Sequence, residues 1–91
     1  VSHTQSSATN VDCGFSNGSK FIILKRTDST GKWYAFSTGI GGVVDGNDTY
    51  LELNTTNAFV TSEDVVDPLS SGFQIASGTA SGTYIFYAIA A

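Results

Sequence analysis

The chain has one cysteine, one proline and no methionine, and it is short of charge. Cys13 has no second thiol to meet, which excludes an internal disulfide and any multi-cysteine metal site. Its expected state is a small buried hydrophobe, because a reactive thiolate needs a neighbouring base and the only imidazole is His3. Apolar blocks stay under about ten residues, too short for a helix to cross a bilayer. Charged residues make up 13% of the chain, roughly half the usual share. The formal net charge is −4, so the excess of Lys and Arg that binds nucleic acid or anionic membranes is missing. All four cations, Lys20, Lys25, Arg26 and Lys32, fall in one segment, which reads as a solvated hairpin face.

Hydroxyls, β-branched residues and aromatics fill the space, and at 91 residues they make one domain. Residues 1–10 are polar and aperiodic, as expected of a flexible arm or linker ahead of a domain over 11–91. The first residue is Val, as in a processed, trimmed or excised chain. FIILKR, DSTG and KWYAFS predict a β-hairpin, with Asp28 accepting from the turn backbone and Gly31 free to take a positive φ. TGIGGVVDGND predicts a long loop with Val43 and Val44 tucked in. TYLELN alternates, and its two leucines, Leu51 and Leu53, are expected in the core. A short strand over 57–61 follows. SEDVVDPLSSG, broken by Pro68, predicts a connection with a weak helical turn from Ser62. GFQIAS, a turn at SGTASG and a last strand complete six or seven strands. The last, SGTYIFYAIA, is apolar on both faces, with Tyr84, Phe86, Ala88 and Ala90 opposed to Ile85, Tyr87 and Ile89. Such a strand is covered on both sides, by its own core, a second sheet or a neighbouring chain. The expected fold is all-β, a single antiparallel, jelly-roll-like β-sandwich.

Catalytic patterns are sparse. His3 stands in the polar arm with only the common Ser2 and Ser6 nearby. Asp45 with Asp48 and Glu63 with Asp64 are the available carboxylate pairs for glycoside chemistry, but adjacent loop acids are usually solvated and extended backbone points Glu63 and Asp64 apart. DGND carries oxygen donors for calcium without the later Glu and the flanking helices of an EF-hand. Asn17, Asn47 and Asn54 open Asn-x-Ser/Thr sequons, which a Ser/Thr-rich chain produces readily by chance. Trp33, Tyr34 and Phe36 are candidate glycan-facing aromatics, although alternation sets Trp33 opposite the other two.

Four blocks in order, FIILKRTDSTGKWYAF, YLELNTTNA, VVDPLSSGFQI and SGTYIFYAIA, resemble a domain recurring in tail fibre and other appendage proteins of tailed bacteriophages. Lys25, Arg26, Thr27, Asp28 and Trp33 match its first block, Leu53, Asn54 and Thr55 its second, Ser71, Gly72 and Phe73 its third, and Ser81 to Ile85 its last. The likeness spans roughly 14–90. SNGSK departs from the proline-containing approach to the first strand, Thr79 stands in place of an Asn, and Gly82 stands where the pattern has a glycine pair. The resemblance implies a non-enzymatic structural module of a virion, without cofactor or metal, assembling with copies of itself and other virion proteins and attaching to a host cell-surface glycan. Tyr84, Phe86, Tyr87, Ile89 and the polar arm before Asn10 are the expected oligomer contacts. The alternatives are a capsid decoration or cement protein, a carbohydrate-binding module and a bacterial surface filament subunit, the last because strand addition by an extended arm suits such assemblies.

Overall fold

The computed structural model describes residues 1–56 and 58–91, so the first residue of the strand expected over 57–61 lies outside the described residues. The fold is all-β, two antiparallel sheets packed as a sandwich. Nine strands occur among the described residues: β1 (Ser2–His3), β2 (Thr9–Asp12), β3 (Ser19–Arg26), β4 (Trp33–Ser37), β5 (Asp48–Glu52), β6 (Val60–Glu63), β7 (Val66–Leu69), β8 (Gly72–Ile75) and β9 (Gly82–Ala90). The large sheet has the order β1-β9-β3-β4-β5-β6 and the small one β2-β8-β7.

The predicted hairpin is β3–β4, in register from Phe21 opposite Ser37 to Lys25 opposite Trp33. Its turn differs from expectation at one point: Gly31 is not among the positive-φ glycines. Asp28 accepts from backbone amides, its own and that of Thr83, and also from Arg26 Nε at 2.7 Å. A side chain at Gly82 would strike Arg26 and Asp28, so the start of β9 packs directly on that ion pair.

Residues 1–10 are not an arm. Ser2–His3 pair with the start of β9, and Thr9–Asn10 begin a strand on β8. The composition is polar because these residues work by hydrogen bonding. Buried His3 sets Nε2 on the Thr79 carbonyl at 3.0 Å and Nδ1 against Thr9 Oγ1 at 2.7 Å. A carbonyl can only accept, so Nε2 carries the proton in the neutral ring and Nδ1 accepts from the threonine. The segment expected as a connection with a helical turn holds β7 instead. Pro68 fits there because β7 is the edge of the small sheet, where no neighbour needs its missing N–H. Within the long loop, a 3₁₀ turn over Thr38–Ile40 is capped by Ser37; Val43 is buried as expected, whereas Val44 is exposed.

The core lies between the sheets. Ile22, Leu24, Phe36, Tyr50 and Tyr84 project from the large sheet onto Val11, Val66, Phe73 and Ile75 of the small one. Within the small sheet, Gly72 lets β8 lie close against β2, since a methyl group there would run into the Val11 carbonyl and the Cys13 amide and sulfur. The main correction concerns β5. Tyr50 and Glu52 are buried and Leu51 and Leu53 point outward, the reverse of the expected phase. Inward Tyr50 packs on Tyr34 and Phe36, and inward Glu52 takes Lys32 Nζ at 2.9 Å, so both polar side chains are satisfied where they sit.

Candidate functional site

With β5 in that phase, the outward face of the large sheet is apolar across four strands. Register aligns Tyr87, Ile23, Ala35 and Leu51 in one row. A second row runs Ile85, Lys25, Trp33, and Leu53 joins it by donating its N–H to the Trp33 carbonyl at 2.9 Å. Ile89, Phe21 and Ser37 form a third. The exposures are 62% for Tyr87, 57% for Ile85, 47% for Leu53 and 41% for Trp33. A shallow groove of about 320 Å³ opens on this face, lined by Ile23, Lys25, Trp33, Ile85, Phe86 and Tyr87. Lys25 is the one charged side chain in these rows among the described residues; its Nζ donates to the Arg26 carbonyl at 2.6 Å and lies 5.8 Å from the centre of the Trp33 ring.

The residues expected as oligomer contacts separate. Tyr84 belongs to the chain's own core: its hydroxyl donates to the Ala80 carbonyl at 2.8 Å and its ring meets His3 edge-on, so it cannot serve as a contact. Phe86 shares the inner side of β9 and packs edge-on against Phe73 at 5.3 Å, while keeping part of its ring exposed. Tyr87 and Ile89 lie on the outer face, and sequence reasoning missed Ile85, Leu51 and Leu53 beside them. The three aromatics considered for glycan stacking do not assemble. Phe36 is buried and stacks on half-buried Tyr34, with Trp33 alone on the opposite face.

The carboxylates are structural or crowded. Asp48 is fully buried, its Oδ2 accepting from Val65 and Val66 N–H at 2.8 and 2.9 Å and its Oδ1 from Val44 N–H at 3.5 Å. Burial pushes its carboxyl up and those three amides pull it back. Lys32 bridges Glu52 and Glu63, and Tyr50 donates its hydroxyl to Glu63. Burial and the adjoining carboxylate hold the Tyr50 phenol above its ordinary range. Beyond β6, the Asp67 carboxyl is pushed up to about 6, by burial first and then by the adjacent Asp64, and its Oδ1 is buried without a partner.

A cavity of about 470 Å³ opens beside Tyr34 and Glu63 of the large sheet, Asp64 and Val65 of the link to β7, and Thr79 in the turn before β9. No nucleophile with a base beside it faces this cavity among its lining residues. His3 has both ring nitrogens engaged, and burial, reinforced by the charge of Asp12, pushes the Cys13 thiol up, away from the thiolate that attacks. Among the described residues no three His, Cys, Asp or Glu side chains converge as metal ligands. The sequon residues Asn17, Asn47 and Asn54 are exposed.

No curated protein and no solved structure matches the chain. One family model covers nearly all of it, from residue 2 to residue 91. The chain therefore belongs to the family DUF7483, described as a domain of unknown function.

Proposed function

We propose that this domain is a non-enzymatic structural module of a phage virion, a tail fibre or other appendage, and that it acts by being built into the particle. The observation that carries the assembly half of this reading is the large sheet, apolar on both faces, with one face spent on the chain's own core and the other open. A contiguous open patch of this kind marks an interaction surface. The four ordered sequence blocks carry the phage half. The test is made on particles released by cells that encode the protein. The chain is expected in purified particles at fixed stoichiometry, with gold-labelled antibody marking an appendage; its absence from them overturns the reading.

Attachment to a host-surface glycan is a second reading, favoured by Trp33 and Tyr87, two exposed aromatics on one sheet face with Lys25 beside Trp33. A glycan array with the free domain tests it, and quenching of Trp33 emission by a bound sugar is the expected result.

A further inference from the structure

The open face has dimensions and chemistry that select its occupant. We infer that it is covered by a second copy of this same chain, packed face to face across β9, β3, β4 and β5. This rests on the assembly reading above and names the partner.

Area is the first argument. Tyr87, Ile85, Leu53, Trp33 and Ile89 together leave roughly 500 Å² exposed, and the partly covered side chains between them raise the patch toward the ~800 Å² that each partner gives to a standard interface. Charge is the second. The chain carries a net charge of −4, yet the rows of this face hold no carboxylate among the described residues. Two copies therefore meet on the surface where their mutual repulsion is least. The one cation, Lys25, is already engaged by a carbonyl and the Trp33 ring, so no acidic partner is called for.

Charge also selects the orientation. A twofold axis running along β3 would set Lys25 against the partner's Lys25. An axis crossing the strands along the Tyr87–Ile23–Ala35–Leu51 row instead lays the Lys25 row over the Phe21 row of the other copy, which separates the ammonium groups and puts bulky Trp33 over small Ser37. In that packing each Tyr87 stands beside the partner's Tyr87.

The test uses the full chain under reducing conditions. Sedimentation from about 1 to about 100 µM is expected to show a monomer–dimer equilibrium, and Trp33, the only tryptophan, is expected to become more quenchable by acrylamide on dilution. Tyr87→Glu is expected to weaken the dimer by about tenfold or more. Near-ultraviolet circular dichroism checks that this variant folds. A Cys13→Ser, Tyr87→Cys chain is expected to be joined by a short bismaleimide. A wild-type monomer at the highest concentration overturns the inference. So does a dimer that tolerates Tyr87→Glu or is not joined through position 87, and so does a Trp33 signal that follows added sugar and not dilution. If the free chain is a monomer but Trp33 is shielded in purified particles, self-pairing falls and the assembly reading stands. If Trp33 is as quenchable in particles as in the free chain, self-pairing and the use of this face in assembly both fall, whereas absence of the chain from the particles overturns the virion reading itself.

Discussion

Asp48 holds three backbone amides with one side chain, and two of them, on Val65 and Val66, lie where the chain leaves the large sheet for the small one. Asp48→Ala leaves those two buried donors unpaired. The expected cost is about 2–4 kcal/mol, read as a lower urea midpoint, with Asp48→Asn losing less because its amide oxygen still accepts. Lys32→Ala should cost about 1–2 kcal/mol by leaving Glu52 buried without its cation, a figure kept low because Lys32 itself is 42% exposed and screened. Neither role is legible in the sequence. DGND reads as a loop with calcium donors, because nothing in a linear string says that its last aspartate is the first residue of a strand and faces inward. Tyr84 shows the same limit, since alternation divides β9 into two sides without saying which side is the chain's own core.

Between β6 and β7 the chain changes sheets beside a concentration of acid. Asp67 faces Asp64, feels Asp45, and lies in the field of Asp48, with Gly46 N–H as its stabilising donor. A carboxyl raised to about 6 in the folded state binds its proton more tightly there than in the unfolded chain. Between about pH 4 and about pH 6 the native state thus holds more protons, and stability falls as pH rises. The thermal midpoint is expected to decline over that window, and Asp67→Asn to flatten the decline and raise the midpoint at pH 7. At this scale sequence and structure agree best where two β-rich segments flank a turn signal, as in the β3–β4 hairpin, even though Gly31 does not take the expected positive φ. They part at β5, where two phases satisfy one alternating pattern. Burying the leucines is the simpler choice on hydropathy, but Lys32, Tyr34 and Phe36 offer Tyr50 and Glu52 better partners inside. Pro68 and residues 1–10 are misread for a related reason: edge strands and hydrogen-bonded strands carry weak hydrophobic signals.

For the whole molecule, the open face makes an electrostatic prediction distinct from its mutational one. Association through rows without carboxylates is expected to change less than about threefold between about 50 and about 500 mM NaCl, followed by sedimentation. A steep loss with salt would place the contact on charged surface elsewhere. The all-β sandwich was legible from strand and turn signals, and so was the apolar character of both faces of the last strand, although the structure covers only one of them. The breadth of the open face was not, because it depends on β5 turning its leucines outward. The position of β9 also governs how the fold can be reached. It sits between β1 and β3, although it is last of the nine in chain order, and Val1 and Tyr84 exchange backbone hydrogen bonds at 2.8 Å in each direction. The large sheet therefore has a vacant lane until residues 82–90 have left the ribosome. Before then the β3 edge lies open, β1 has no strand to pair with and the core lacks Tyr84, so the domain closes only after its synthesis, through its longest-range pairing and at the slow rate such topologies impose.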